Sequence, residues 1–351
     1  MGKKVVLGMS GGIDSSFAAY LLKKEGYDVT GFTLKLWDDG SRCCDLTDID
    51  RARAFCHFLG IPHYVIDLRK EFRSMVVDYF MDEYLNGRTP NPCVVCNKEI
   101  KFSYLCSRLK MLGYDLLATG HYSKIVREKD RCFLAKAKDW KKSQEYFLAR
   151  IDQSILPCVL FPLADRTKEE VKETARRIDF QFRQDESQEI CFIRPGQSYH
   201  DFIIKNRTGQ ADYSGAIVNR ENEKLGRHDC YFKYTVGQRQ GLGLSDTTPY
   251  YVAGINSREK QVIVGKKKDV YRGDFIVDKV LWYTEEARPE MFLKVKIRYN
   301  HPEAEAVVLN QEKDRARVHF QEPQFAVTPG QLAVFYKGNV VMGSGWIQEI
   351  L

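Results

Sequence analysis

The first 120 residues alternate between short apolar runs and stretches in which apolar side chains return every three or four positions. Lys3–Leu7, with Val5, Val6 and Leu7 in succession, is an apolar, β-rich run that predicts a strand. A Gly/Ser loop follows, and Ser16–Lys24 carries helical spacing. Val29–Leu36 and His63–Asp67 predict a second and a third strand; between them Thr47 is placed to cap a helix through Phe58 that stops at Gly60. Glu71–Tyr84 and Glu99–Leu112 predict two more helices, Leu116–Thr119 a further strand, and Thr167 caps a last helix over Lys168–Ile178. This alternation predicts an α/β fold: an open parallel sheet with helices on both faces, binding ligands in loops at the carboxyl ends of its strands.

From about residue 208 the period shortens to two. Tyr250–Ile255, Gln261–Val264, Leu293–Ile297, Ala306–Leu309 and Leu332–Tyr336 are short alternating runs between turn residues, the texture of small β-barrels or sandwiches. The expected organisation is a catalytic α/β domain at 1–207, a small central β domain at 208–272 and a C-terminal β-barrel-like domain at 273–351. The 351 residues are 44% hydrophobic and 29% charged, ordinary for a globular protein. There is no apolar run of about 18 residues to span a membrane, and no secretory or transit pattern at the start. A cytoplasmic location is therefore expected. The net charge of +7 permits a nucleic-acid partner without requiring one. Ten cysteines in such a chain read as reduced thiols, most of them small core residues.

The sharpest motif is Ser10-Gly-Gly-Ile-Asp-Ser-Ser16, between the first strand and the first helix. Gly11 and Gly12 let the backbone turn tightly and present consecutive N–H groups. Ser10 and Ser15 add hydroxyls, and the helix that follows presents its positive end. The combination fits a pyrophosphate group, with Asp14 placed to orient the loop or assist a magnesium ion. It is neither a Walker loop, which needs Lys-Ser/Thr after its last glycine, nor the dinucleotide Gly-x-Gly-x-x-Gly pattern. A plain turn joining strand to helix is the bland alternative. The segment resembles the pyrophosphate loop of the ATP pyrophosphatase (PP-loop) superfamily. That resemblance implies ATP bound by Gly8, Met9, Ser10, Gly11, Gly12, Ile13, Asp14 and Ser15, with Leu34 against the adenine and Gly120 at the same sheet edge.

Two further segments carry thiols. In Gly87-Arg-Thr-Pro-Asn-Pro-Cys-Val-Val-Cys-Asn-Lys-Glu-Ile-Lys-Phe102, Pro90 and Pro92 fix an extended loop and Cys96 is expected at a helix start beside Lys98 and Lys101. A helix end and nearby cations favour the thiolate. Cys191, in Ile190-Cys-Phe-Ile193, reads by itself as a buried core thiol. A zinc half-site at Cys93 and Cys96 would want a second pair, and the adjacent Cys43–Cys44 has the wrong spacing.

Taken in order, the loop, Asn91–Phe102, Ala118-Thr-Gly-His-Tyr122, Ile190–Ile193, Tyr234–Arg239, Arg298-Tyr299 and Pro329-Gly-Gln331 resemble the tRNA-specific 2-thiouridylase (MnmA/TrmU) family over essentially the whole chain. The resemblance implies a sulfurtransferase that adenylates O2 of the wobble uridine (position 34) in tRNAs for Lys, Glu and Gln and then replaces it with sulfur. It implies ATP with Mg2+ and a persulfide on Cys191, supplied by a cysteine desulfurase or sulfur relay protein. Cys96 is then the second thiol, which either releases hydrogen sulfide by forming a Cys96–Cys191 disulfide or assists attack on C2. The target base and tRNA would be met by Asn91, Pro92, Cys93, His121, Lys142, Ser143, Gln144, Arg298, Tyr299 and Gln331. Two positions depart from the family pattern, which tends to have acidic residues where this chain has Cys93 and Ser143. Cys93 makes three soft ligands with Cys96 and Cys191, so an iron–sulfur cluster is an alternative to the persulfide. The rival functions are another PP-loop ligase or amidotransferase, which leaves the thiols unexplained, and a non-catalytic RNA-binding or redox-sensing protein, which leaves the loop idle.

Overall fold

The computed structural model describes residues 2–37, 46–109, 111–178, 180, 190–207, 211–284, 289–312 and 314–351. Cys43, Cys44, residues 184–189 ahead of Cys191, and the expected boundary at 208 lie outside them. The chain divides into two compact units, one of Met1–Val77, Pro92–Gln197 and Asn339–Val341, the other of Asp78–Asn91, Ser198–Gly338 and Met342–Leu351.

In the first unit β1 (Lys4–Gly8), β2 (Asp28–Lys35), β3 (His63–Asp67) and β4 (Leu116–Thr119) are joined, after a hairpin of β5 (Lys124–Glu128) and β6 (Arg131–Ala135), by β7 (Val159–Leu160). The sheet order is β3-β2-β1-β4-β7 and these pairings are all parallel. Val5, Val6 and Leu7 are fully buried, as a central strand covered on both faces requires. Chain connections leave β1 and β4 in opposite directions, so the crevice between their carboxyl ends is the topological switch point where such sheets bind ligands. Helix α1 (Ile13–Lys24) buries Phe17, Ala18 and Leu22 against the sheet, and α2 (Leu46–Phe58) adds Ala52 and Phe55 to the same core.

Two helices differ from expectation. The run from Arg69 to Leu85 contains a π-helical turn at Arg73–Val77. The second opens at Pro92 as an α-turn (Pro92–Val95), becomes π-helical over Cys96–Tyr104 and returns to α over Leu105–Leu109. Proline at a first helical position sacrifices only an N–H with no intrahelical partner, so Pro92 starts the helix instead of prolonging the loop. π-segments of this kind recur at functional sites.

The second unit holds a four-stranded sheet, β10-β11-β8-β9, from β8 (Gly215–Val218), β9 (Lys224–His228), β10 (Tyr251–Asn256) and β11 (Gln261–Gly265). It also holds β12 (Tyr271–Trp282), β13 (Glu290–Lys296), β14 (Ala304–Glu312), β15 (Arg315–Phe325), β16 (Leu332–Lys337) and β17 (Val340–Ile350). Those six pair in the order β12-β15-β14-β13-β16-β17, and β12 also pairs with β17, closing an antiparallel barrel. Alternate residues such as Ala316, Val318 and Phe320 point inward to meet Phe275, Val295, Val308 and Phe335.

Candidate active site

The loop after β1 is shaped by glycine. Gly11 has φ +74°, and a Cβ on it would lie 2.4 Å from the Asp48 carbonyl oxygen, so no other residue fits without moving α2. The Ser10 N–H donates to Ser15 Oγ at 3.1 Å, and Ser15 Oγ donates to the Gly12 carbonyl at 3.1 Å, folding the turn on itself. Gly12 caps α1 with no side-chain bond, which leaves N–H groups of the first turn available for an anion. Gly120, just beyond β4, packs flush on this turn: a Cβ there would stand 2.8 Å from Ser15 N and 2.9 Å from the Asp14 carbonyl carbon. Thr33 Oγ1 donates to the Met9 carbonyl at 2.9 Å and so fixes the strand end that feeds the loop. Met9, Ile13 and Leu34 are buried and Gly8 ends β1, all at the sheet edge where the resemblance puts the nucleotide.

Asp14 is held by groups that sequence patterns do not reveal. Lys168 Nζ donates to both carboxylate oxygens, at 2.8 and 2.7 Å, and the Tyr122 hydroxyl donates to Oδ1 at 2.9 Å. Lys168 is only 3% exposed, and its ammonium also lies 5.9 Å from the centre of the Tyr122 ring. Gln144 keeps Tyr122 in place by accepting from its backbone N–H at 2.9 Å and donating its own to the Tyr122 carbonyl at 2.7 Å. With both oxygens engaged, Asp14 orients the loop and neutralises Lys168.

Because the helix opens at Pro92, Cys93 and not Cys96 occupies its first turn. Cys93 is exposed to solvent, with Cys191 and Lys101 as its electrostatic neighbours. Desolvation and the neighbouring Cys191 push its pKa up to about 11 against the pull of Lys101. The same Lys101 acts on His121, whose pKa desolvation first and Lys101 second lower to about 3. His121 is thus a neutral imidazole, its Nδ1 2.8 Å from Thr119 Oγ1 and its ring against Phe102 and Phe161. Cys96 is buried at 7% exposure, beside Asn97, whose side chain donates to the Phe147 carbonyl at 3.1 Å. Cys191 is half-buried and anchored by Phe192, which packs against Trp37 and Phe72. Among the described residues no group of three or more His, Cys, Asp or Glu side chains is placed to hold a metal ion.

Three consecutive residues therefore join the two chemistries. Gly120 seals the nucleotide loop, His121 reaches the Lys101–Cys93 neighbourhood, and Tyr122 holds Asp14.

Residues 3–195 match the family described as the tRNA methyl transferase HUP domain, 200–266 its PRC-barrel domain, and 272–347 the aminomethyltransferase β-barrel domain. The tRNA-specific 2-thiouridylase MnmA of Geobacter metallireducens is 43% identical, over 99% of this chain and 98% of its own. MnmA 1 of Syntrophus aciditrophicus is 44% identical over 99% and 94%, and MnmA of Clostridium acetobutylicum 40% identical over 99% and 100%. The chain belongs to the MnmA family.

The remaining positions that the MnmA resemblance assigns to tRNA have varied surroundings. Asn91 and Pro92 are buried, directly ahead of Cys93. Lys142 is half-exposed, whereas Ser143 is turned inward, accepting from the Ala137 N–H at 2.9 Å and donating to Glu145. Arg298 donates to the Val236 carbonyl at 2.9 Å and to Thr328, and Tyr299 is half-exposed beside Lys296. Gln331 Nε2 donates to the carbonyls of Thr89 and Pro90. Lys266, in a charge run, is engaged by Asp246 and the Tyr250 ring. Sequence reasoning missed Lys168, Tyr122 as an Asp14 partner, and Lys101 as the shared neighbour of Cys93 and His121. A lysine directly after a helix cap carries no pattern of its own; only the tertiary fold brings it to Asp14.

Among the described residues no helix is long and apolar enough to cross a membrane.

Proposed function

We propose that this chain converts the wobble uridine (position 34) of tRNAs for Lys, Glu and Gln to 2-thiouridine, with ATP as the activating substrate. A uracil C2 carbonyl is a poor electrophile because its oxygen is a poor leaving group. Attack of O2 on the α-phosphorus expels pyrophosphate and turns that oxygen into part of an AMP leaving group. The glycine cradle and the open end of α1 support binding of the phosphates, and Lys168 keeps the Asp14 charge from repelling them. Magnesium would arrive on the phosphate oxygens; the engaged Asp14 supports an orienting role for that residue.

Sulfur then enters as a nucleophile. The terminal sulfur of a Cys191 persulfide, loaded by a cysteine desulfurase or relay protein, attacks C2 and AMP departs. Cys96 resolves the resulting Cys191–S–S–C2 link by attacking the Cys191 sulfur, forming a Cys96–Cys191 disulfide and freeing thiolated tRNA. In the other route it releases hydrogen sulfide from the persulfide first. An external reductant resets the disulfide in both. Cys93, with its pKa near 11, keeps its proton at neutral pH and so does not replace the base that an acidic residue at this position would supply. Neutral His121 suits hydrogen bonding to the uncharged edge of an extruded base. In this scheme 1–207 is catalytic, 208–272 a central β domain and 273–351 a tRNA-contacting barrel, and the reaction takes place in the cytoplasm.

The observation that carries this reading is the Gly120-His121-Tyr122 bridge between an ATP-type loop and the thiols. A ligase would need the loop alone, and a methyl transferase would need neither. The test is anaerobic incubation with ATP, Mg2+, a persulfide source and unmodified Lys-type tRNA, followed by nucleoside mass analysis. ATP-dependent 2-thiouridine at position 34 is expected. ATP consumption only with small amine acceptors would replace the reading with the ligase one.

A further inference from the structure

Within the second unit, the loop that leads into Asn91, Pro92 and Cys93 is gripped at Thr89 and Pro90. The Thr89 N–H donates to the Pro329 carbonyl at 2.9 Å, and Gln331 Nε2 returns hydrogen bonds to the Thr89 and Pro90 carbonyls at 2.9 and 3.1 Å. Gly330, with φ +90°, lies between them, and a Cβ there would stand 2.8 Å from Thr89 O and 3.1 Å from Arg88 Cβ. Arg88 is pinned in turn by Glu83 at 2.8 Å and by Gln348, and the Ile347 backbone exchanges hydrogen bonds with Gly330 and Gln331 at 2.8 and 2.9 Å. Every donor of the Gln331 amide is thus spent on loop backbone, a geometry that serves placement of the loop and leaves no N–H for a nucleotide.

We propose that Pro329-Gly330-Gln331 is a clamp on the Thr89–Pro90 loop that positions the helix start at Asn91–Cys93 for sulfur transfer, so that Gln331 is a positioning residue of the reaction. The proposal rests on the assignment of Asn91–Cys93 to the reacting base. Pro90 stiffens the loop and Pro92 starts the helix that carries Cys93, and the clamp supplies the one thing stiffness does not, a fixed anchor. Because reacting groups displaced by about 1 Å lose roughly a hundredfold in rate, a loosened clamp acts on turnover before it acts on affinity.

The test uses the full-length protein with Gln331→Leu, which removes both donors at similar size, and Gly330→Ala, which forces the loops apart. Three quantities are read: kcat for tRNA thiolation, Kd for unmodified tRNA, and the rate at which iodoacetamide alkylates Cys93, followed by peptide mass analysis. Both variants are expected to lower kcat by roughly ten- to a hundredfold, to change Kd by less than about threefold, and to speed Cys93 alkylation several-fold. A weakened Kd with unchanged alkylation would make Gln331 a direct tRNA contact and overturn the clamp. No change in any readout would overturn it as well. Faster alkylation with kcat intact would keep the clamp but remove Asn91–Cys93 from the chemistry, and so separates the two assignments.

Discussion

Replacing Lys168 by methionine tests the reading of Asp14 most sharply. The ammonium sits 2.8 and 2.7 Å from the two Asp14 oxygens and is almost wholly buried, while the Asp14 side chain keeps 32% of its exposure. At an effective dielectric constant of about 20 the gross attraction is about 6 kcal/mol, of which desolvating the ammonium takes back several. The net loss in folding stability should therefore be about 1–3 kcal/mol. The larger effect falls on the nucleotide. An uncompensated carboxylate about 5 Å from a phosphate charge repels it by about 3 kcal/mol, roughly two decades of affinity, and solvent screening trims this. Lys168→Met should weaken binding of a non-hydrolysable ATP analogue by roughly ten- to a hundredfold in calorimetry. Adding Asp14→Asn removes the repelling charge, so the double variant should bind better than Lys168→Met alone. If the second change gives no recovery, Lys168 does not act by neutralising Asp14 and the reasoning fails.

Gly120→Ala drives a methyl into the Ser15 and Asp14 backbone, and it should abolish ATP binding while thermal melting shows a folded protein; normal affinity would mean the loop tolerates displacement. Cys96→Ser and Cys191→Ser should each lose 2-thiouridine formation by at least about a thousandfold with ATP affinity retained, and activity surviving in either variant would sink the two-thiol scheme. Alkylation of Cys93 should accelerate with pH up to a midpoint near 11, whereas a midpoint near that of ordinary cysteine, about 8.5, would show a thiolate-stabilising site instead. His121, held neutral with a folded pKa of about 3, stabilises the fold in full above its ordinary 6.5, and that contribution is lost progressively as pH falls from 6.5 towards 3. His63, His228 and His301 are shifted downward by desolvation too, so the comparison is between wild type and His121→Gln, whose melting temperature should fall less between pH 7 and 5. Equal slopes would contradict a desolvated His121.

The inner strands of the parallel sheet were legible because they are buried on both faces and write themselves as apolar runs, and Leu116–Thr119 matches expectation residue for residue; the edge strand His63–Asp67 matches too, although it is largely exposed. The nucleotide loop was legible because Gly11 and Gly12 answer to backbone geometry that only glycine meets. The start of the Cys93 helix was not. Pro92 was read as stiffening a loop when it occupies a first helical position, and π-helical turns leave no periodic mark strong enough to shift a boundary. Barrel strands were found but drawn short: the alternation in Ala306–Leu309 shows only the middle of β14, since Ala304–Glu312 carries the polar residues Glu305, Asn310 and Gln311 on either side of it. Lys168 and the clamp at Gln331 were hidden for a common reason: Lys168 meets Asp14 154 positions away and Gln331 meets Thr89 242 positions away, so neither leaves a local motif.

The central claim is that ATP converts the uridine oxygen into a leaving group. It is tested most directly with tRNA carrying oxygen-18 at O2 of uridine 34, incubated with ATP, Mg2+ and a persulfide source, with mass analysis of the AMP released. The account predicts one labelled oxygen in each AMP formed per 2-thiouridine. Thiolation accompanied by unlabelled AMP would mean that ATP is hydrolysed without touching the base, and the account would be wrong.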